Sequence, residues 1–294
     1  MINEALQHCS GIGPVRLAHL HDEGIKTWQD VLQFPQRIPA TYRNTMMEEC
    51  RRCQAALELD DIQYFIDRLA PVDKWRILAH YFPDTTFFDI ETLGLSSADP
   101  ITVIVTWYGG EFNTFVEHEN LDGFLELLDR VKLLVSFNGS TFDVPRVLDA
   151  FHIPSLPCPH LDLRWIAYRR GLVGGIKEIA RKQGIARPVD LDNVSGEHAI
   201  LLWQEWRAKQ DHAAREHLIR YCAADVLLLR FLAERLIGMD NTDNALLWDS
   251  LPPATGRPPV HRGRALQLTA PTLSSDKRRL NRNRLLLSKR WSPR

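Results

Sequence analysis

The sequence predicts an α/β protein with a mixed β-sheet flanked by helices, and two observations lead to this class. Three candidate strands, rich in β-branched and aromatic residues, follow one another closely between positions 86 and 116. Beyond them, short apolar segments alternate with segments that have the period of an amphipathic helix. Strands joined by short turns pair antiparallel and strands separated by helices pair in parallel, so the two patterns together predict a mixed sheet.

The first three strands are expected at 86–92, 101–107 and 111–116, and Gly109-Gly110 forms the turn of a hairpin between the last two. Their short connections predict antiparallel pairing. The rest of the region is expected to add a buried strand, a second segment that is a short strand or extended, and five helices. The buried strand is expected at 133–137, the short strand or extended segment at 156–163, and the helices at 121–130, 142–151, 176–183, 196–209 and 214–237.

Three regions of different character divide the 294 residues. Residues 1–80 are helix-like with a Gly-x-Gly turn, 84–240 carry the α/β pattern, and 251–294 are rich in Pro, Ser and Arg. We expect a small helical domain, an α/β domain and a basic, disordered tail. From position 251 onward eleven basic residues stand against one acidic residue, whereas residues 1–250 carry 25 basic and 36 acidic residues. The tail is either a phosphate-binding segment or simply solvated.

Composition is that of an ordinary globular protein, with 45% hydrophobic and 25% charged residues. We expect no membrane span and no signal peptide, and hence a cytoplasmic location. Five cysteines in such a chain do not form a disulfide framework. Cys50 and Cys53 have the spacing of metal ligands, but without a second pair they are interpreted as ordinary helix cysteines, with a lone cluster or redox site as the alternative.

Two acids separated by one residue, Asp89 and Glu91, lie on the first predicted strand. Their side chains leave the same face, while Phe88 and Ile90 point to the other. A solvated polar face is one explanation, but the apolar neighbours indicate a central strand with little access to water. Because adjacent buried charges require compensation, the pair is interpreted as cation ligands.

A third acid, Asp143, follows the strand at 133–137 across an Asn138-Gly139 turn and opens the next predicted helix. Functional groups of α/β folds collect at the ends of such strands, which makes Asp143 a candidate ligand. An acid in the first turn of a helix can equally be a cap or a partner of the helix dipole. On spacing alone both interpretations stay open.

Tyr221 and Asp225 are four residues apart on a predicted helix, so they lie on one side of it, one turn apart. The apolar sequence after Asp225 argues against a solvated face. Hard divalent cations such as Mg²⁺ or Mn²⁺ prefer carboxylates from several elements, and two such ions can activate a water and stabilise a leaving 3′ oxygen. Tyr221 would orient that water.

These residues resemble a known family. The motifs Asp89-Ile90-Glu91, Asn138-Gly139-x-x-Phe142-Asp143 and Tyr221-x-x-x-Asp225 are similar to the three exonuclease motifs of the DEDD superfamily in its tyrosine-bearing form. The similarity is greatest to the YprB-like, ribonuclease-H-like nucleases, and it covers roughly residues 84–240. The resemblance implies a ribonuclease-H-like fold and removal of nucleotides from 3′ ends with two Mg²⁺ or Mn²⁺ ions.

The resemblance also implies roles for single residues. Asp89, Glu91 and Asp225 would bind the first metal ion, Asp89 would bridge to the second, and Asp143 would support the second directly or through water. Tyr221 matches the water-orienting tyrosine. Asn138 is expected to contact the nucleic acid. Asp162 has no catalytic role in this pattern, and we expect it to cap a helix.

Ahead of this region, residues 6–27 resemble a helix-hairpin-helix around Gly11-Ile12-Gly13-Pro14. A Gly-x-Gly hairpin exposes backbone N–H groups at a helix N-terminus, where a phosphate can bind without readout of the bases. Gly11 and Gly13 are therefore expected to contact nucleic acid, DNA in weak preference to RNA. A packed helix pair without a ligand is the alternative.

Three functions follow from these features. A metal-dependent 3′–5′ exonuclease is the leading hypothesis. A structure-selective endonuclease on the same core would cut internally, and a non-catalytic nucleic-acid-binding protein would use the hairpin and the tail with purely structural acids.

Overall fold

The computed structural model describes residues 1–96, 99–192, 194–239 and 244–254, and it confirms the predicted α/β class. Within these ranges, five strands form one mixed sheet in the order β3-β2-β1-β4-β5. The central strand β1 is antiparallel to β2 and parallel to β4, while β2 pairs antiparallel with β3 and β4 pairs in parallel with β5. The strands are β1 (Thr85–Thr92), β2 (Ile101–Tyr108), β3 (Glu111–Val116), β4 (Leu133–Ser136) and β5 (His160–Asp162).

Helices precede the sheet, connect its later strands and cover both of its faces. Within the described residues the α-helices are α1 (Pro14–Asp22), α2 (Trp28–Gln33), α3 (Ala40–Glu58), α4 (Ile62–Arg68), α5 (Trp75–Tyr81), α6 (Gly123–Leu128), α7 (Asp143–Phe151), α8 (Leu163–Arg169), α9 (Ile176–Lys182), α10 (Gly196–Lys209), α11 (His212–Ile237) and α12 (Asn244–Asp249).

Alternation along β1 places two kinds of side chain on opposite faces of the sheet. Phe88 and Ile90 are buried in one core together with Phe124 of α6 and Val147 of α7. Phe87 belongs to the larger core on the other face, where α11 packs against β1 and β2. Because α11 is apolar on nearly all sides after its first turns, it is buried along most of its length. Asp89 and Glu91, which share a face with Phe87, therefore point toward α11.

The residues before β1 are helical, as predicted, and they contribute to the larger core. Trp28 stacks on Phe65 with ring centroids 5.9 Å apart. Its indole N–H donates to the carbonyl oxygen of Ala5 at 2.7 Å, so the one polar atom of this buried ring is satisfied.

The predicted glycine turn has the expected backbone. Gly11 has a left-handed φ of 82°, and Gly13 directly precedes α1, whose first residue is Pro14. The element before the turn is the short 3₁₀ helix Ile2–Glu4 and not an α-helix. The helix-hairpin-helix and its contacts with nucleic acid therefore stay predictions.

The short strand or extended segment predicted at 156–163 is confirmed as a strand, but the strand is shorter than that range. It comprises only His160–Asp162, and α8, which was not predicted, begins directly at Leu163. The Asp162 carboxylate accepts the backbone N–H of Arg164 at 3.0 Å, so a helix cap turns the chain from strand to helix within one residue. The expectation that Asp162 caps a helix is confirmed.

The five cysteines are free and buried, and Cys50 and Cys53 lie in α3. Among the described residues, no helix is long and apolar enough to cross a membrane. The predicted basic tail at 251–294 lies, from position 255 onward, outside the described residues.

Candidate active site

The two acids of β1 lie under α11. Glu91 is buried and Asp89 is half-buried. From α11, the Cys222 Sγ lies 3.5 Å from the Asp89 carbonyl oxygen and 3.8 Å from its Oδ2. The helix thus packs directly on the backbone that carries the acidic pair. Beyond this pair, the pairing of β1 with β2 becomes irregular between Glu91 and Thr92.

The third acid reaches the same edge of the sheet through the turn after β4. Asn138 adopts a left-handed φ of 66°. A Cβ atom at Gly139 would overlap the Ser136 Oγ and lie 3.3 Å from the Asp143 Oδ2, so this close approach requires glycine. Asp143 is the first residue of α7 and is buried. Burial raises the pKa of its carboxyl, and the backbone of Ile90 in β1 opposes that rise, so Asp143 lies close to β1.

Asp162 holds this turn in place from the neighbouring strand. Its Oδ1 accepts the backbone N–H of Asn138 at 2.7 Å, and its Oδ2 accepts the backbone N–H of Ser140 at 3.1 Å. The same carboxylate caps α8. One buried side chain therefore fixes both the start of α8 and the segment that leads to Asp143.

Tyr221 and Asp225 lie one turn apart on α11, and both are buried. Two cationic side chains contact Asp225: the Lys177 Nζ is 2.9 Å from its Oδ2, and the Arg187 guanidinium is 3.0 Å from its Oδ1. Lys177 also donates to the Tyr221 hydroxyl. Both cations lie near the Tyr221 ring, at 4.3 and 5.2 Å from its centroid.

Lys177 and Arg187 were not predicted as site residues. The sequence shows a glycine pair followed by a helix that contains Lys177, and nothing in that pattern relates it to α11. Arg187 stands in the irregular segment between α9 and α10 and reaches Asp225 only through the fold.

The acids meet where water is scarce, and this changes their protonation. Burial raises the pKa of Asp89 well above its ordinary value, and the negative charges of Asp143, Asp225 and Glu91 raise it further. Burial, followed by repulsion from Asp225, raises the pKa of Glu91 to about 8. Burial also raises the pKa of Asp143 to about 7. The four predicted acids therefore lie in one electrostatic cluster.

The tightest group of possible metal ligands lies within this cluster. Among the residues that the structure describes, Asp89, Glu91 and Cys222 bring ligand atoms within 4.8 Å of one another. The Cys222 sulfur is a soft donor, which hard divalent cations such as Mg²⁺ do not select. The remaining donors are carboxylate oxygens, which suit hard divalent cations. Asp143 and Asp225 lie outside this tight group but contribute to its negative potential.

Comparison with known proteins agrees with the fold. A family profile described as the RNase H superfamily matches residues 86–237. Among solved structures, the chain is similar to the family B DNA polymerase from the hyperthermophilic archaeon Pyrobaculum calidifontis, with 20% identity, a TM-score of 0.43, and coverage of 56% of this chain and 26% of the polymerase chain. A search of curated proteins finds no match. Because the profile covers more than half of the sequence, the chain belongs to the RNase H superfamily.

Proposed function

We propose that the protein is a metal-dependent 3′–5′ exonuclease, which hydrolyses the terminal phosphodiester bond at the 3′ end of a nucleic acid. The observation that carries the proposal is the meeting of four carboxylates from β1, α7 and α11 in one electrostatic cluster. Burying these acids together is costly unless cations bind them. Membership of the RNase H superfamily supports nuclease activity on a nucleic-acid substrate.

Two divalent cations, Mg²⁺ or Mn²⁺, are the proposed cofactors because every proposed ligand offers carboxylate oxygens. Asp89, Glu91 and Asp225 would hold one ion, and Asp143 together with Asp89 would hold the other. When bound, the ions lower the pKa of the attacking water and neutralise the charge on the phosphate and the leaving oxygen.

Tyr221 is proposed to orient the attacking water. Burial raises the pKa of its hydroxyl, and the charge of Asp225 raises it further, so the phenol stays protonated and acts as a hydrogen-bonding group. In the reaction the water oxygen bonds to phosphorus, the bond from phosphorus to the 3′ oxygen breaks, and the leaving 3′ oxygen takes up a proton. The products are a 5′-mononucleotide and a strand shorter by one residue.

Lys177 and Arg187 are proposed to have different tasks at Asp225. The Arg187 side chain is 8% exposed, so it can orient Asp225 but has little access to a substrate. The Lys177 side chain contacts Tyr221 and Asp225 and is 38% exposed. Its ammonium group is therefore also placed to bind a phosphate of the substrate.

Further contacts are proposed outside the reacting phosphate. Gly11 and Gly13 would bind the backbone of the substrate, with DNA preferred to RNA, and Asn138 would contact the strand next to the acids. Residues 84–240 would form the nuclease domain. The helical region 1–80 and the basic tail 251–294 would add affinity that does not depend on base sequence.

The decisive experiment follows the shortening of a 5′-labelled oligonucleotide with Mg²⁺ or Mn²⁺. We expect a ladder of products that shrink one nucleotide at a time, and the release of 5′-mononucleotides. Asp89→Asn keeps the side-chain shape but removes the charge, so it should be inactive. Asp129→Asn, an exposed acid at the end of α6 on the other side of the sheet, is the matched control and should keep wild-type activity.

Three outcomes would contradict the proposal. Equal cleavage by the wild type and Asp89→Asn would mean that the activity does not use these acids. Cleavage of closed circular single strands would indicate an endonuclease. Binding of oligonucleotides without any cleavage in the presence of either cation would favour a non-catalytic binding protein.

A further inference from the structure

A groove of about 560 Å³ opens beside the proposed active site. Its principal lining residues are Phe137, Asn138, Arg164, Trp165, Tyr168 and Gly174. We call it the α8 groove, after the helix that supplies three of them. Asn138 belongs to the turn that leads to Asp143, and the wall at Gly174 to Ile176 is followed in sequence by Lys177, so both walls adjoin segments that carry proposed catalytic groups.

The outer face of α8 is aromatic where a surface helix is usually polar. Leu163, Ile166 and Ala167 form the buried face of the helix. On its outer face Trp165 is 53% exposed and Tyr168 is 56% exposed. Their rings meet edge to face with centroids 6.5 Å apart. Single exposed apolar residues need no explanation, but two adjacent aromatic rings that line a groove mark a binding surface.

The charge of the α8 groove favours an anionic ligand. The Arg164 guanidinium lies 5.7 Å from the Trp165 ring centroid and donates to the side-chain oxygen of Asn138. Exposed Arg169 follows at the end of α8, outside the lining of the groove. None of the described residues that line the groove is acidic.

A second groove, on the other side of the acids, has the opposite character. It measures about 450 Å³ and is lined by Glu91 and Glu197, together with apolar residues such as Leu95, Phe142 and Ile200. Glu91 is a proposed metal ligand, so bound cations would neutralise it, and Glu197 is the further carboxylate in this groove. The α8 groove, which contains Arg164 and no acid among its described lining residues, is the better match for a polyanionic strand.

We infer that the α8 groove binds the unpaired strand that leads to the reacting 3′ end, with successive bases stacked on Trp165 and Tyr168 and with phosphates near Arg164. The inference rests on the proposed function and adds a substrate class to it. Bases inside a duplex are paired and stacked on each other, so only an unpaired strand offers free base faces to these rings. The protein would thus prefer single-stranded 3′ ends and 3′ overhangs to blunt duplexes.

Stacking on a side chain is tolerant of base identity because every base has a flat face, so sequence preference should be weak. Removing one ring should weaken binding of a single strand at least about fivefold, the lower limit for one base–aromatic stack. Trp165→Phe retains an aromatic face and should recover most of that affinity.

The test uses the full-length protein and two kinds of substrate. The first is a 5′-fluorescein-labelled single-stranded DNA with a free 3′ end, whose binding to Asp89→Asn protein is measured by fluorescence anisotropy. It is compared with the same sequence as RNA and as a blunt DNA duplex. The second is the p-nitrophenyl ester of thymidine 5′-monophosphate, a phosphodiester too short to reach the α8 groove.

We expect Trp165→Ala and Tyr168→Ala to weaken single-strand binding and to raise KM for single strands, with unchanged hydrolysis of the p-nitrophenyl ester. Leu201→Ala, which truncates another exposed apolar side chain, is the control and should bind as wild type does. Tighter binding of the DNA strand than of the RNA strand is expected, and the reverse would contradict the proposed preference for DNA.

The inference is overturned if both alanine variants bind single strands like the wild type, or if they lose duplex and single-strand affinity equally. If either result is obtained while the wild type cleaves oligonucleotides, the proposed exonuclease function stands and only the role of the α8 groove is refuted. If the wild type does not cleave but its single-strand binding depends on both rings, the exonuclease function is refuted and the binding role of the α8 groove stands.

Discussion

Replacing Asp162 with alanine tests whether this carboxylate positions the turn that leads to Asp143. The substitution removes the acceptor for the backbone N–H groups of Arg164, Asn138 and Ser140, at 3.0, 2.7 and 3.1 Å. Loss of a helix cap costs about 1 kcal/mol. Each of the two further hydrogen bonds contributes about 1 kcal/mol, the usual net value for an intramolecular hydrogen bond. The free energy of unfolding should therefore fall by about 3 kcal/mol.

Asp61→Ala is the matched control, because Asp61 caps α4 through one hydrogen bond, from the backbone N–H of Tyr64 at 2.9 Å. It should lose about 1 kcal/mol. Urea unfolding of both variants at pH 7 measures the difference. Exonuclease assays complete the test: displacement of Asp143 should lower kcat of Asp162→Ala by up to about 100-fold, whereas Asp61→Ala keeps its activity. Equal losses of stability, or full activity of Asp162→Ala, would refute the positioning role.

Three other predictions concern the surroundings of the acids. Gly139→Ala should destabilise the fold by about 1–3 kcal/mol in urea unfolding, because the new methyl overlaps the Ser136 Oγ, and a second change, Ser136→Gly, should restore much of the loss. Burial lowers the pKa of His160 from 6.5 to about 4. As the pH falls, His160 therefore binds a proton at a higher pH in the unfolded chain than in the folded protein. The stabilising effect of neutral His160 is complete above pH 6.5 and is lost as the pH falls toward 4, by about 2 kcal/mol at pH 5. His160→Gln should therefore lose less stability than the wild type between pH 7 and pH 5, and equal losses would contradict the assignment. Lys177→Met should lower kcat at least about tenfold if its ammonium stabilises charge at the phosphate, whereas Lys182→Met, on the same helix α9 but paired with Glu178, should act as wild type does.

Local patterns were enough to predict the sheet and the direction of its acids. A period of two along β1 separates Asp89 and Glu91 from Phe88 and Ile90 whatever the rest of the chain does, and the two faces of the sheet follow this division. The glycine pair at 109 and 110, both with positive φ, fixes the turn of the hairpin in the same local way.

Helix α8 could not be predicted from such patterns. It is only seven residues long, it follows β5 without a connecting loop, and it is stabilised at its start by the Asp162 side chain. Trp165 and Tyr168 on its outer face also remove the polar stripe by which an amphipathic helix is recognised. The features that obscured the helix in the sequence are the ones that suggest its role as a binding surface.

The cations at Asp225 were missed for a different reason. Lys177 and Arg187 approach α11 through contacts between segments far apart in sequence, and a single lysine or arginine carries no local pattern that names its partner. Spacing in the sequence identifies acids that share one strand or helix. It does not identify the cationic side chains of other segments that pair with those acids.

The order in which the acids emerge during synthesis determines when the proposed active site is complete. Asp89 and Glu91 leave the ribosome early, whereas Tyr221 and Asp225 belong to α11, which comes after the whole sheet has been made. A nascent or prematurely terminated chain that lacks α11 therefore lacks one proposed metal ligand and the proposed water-orienting group. Under the proposed function, hydrolysis would therefore require the late helix to dock on β1, and unfinished copies of the protein would be inactive.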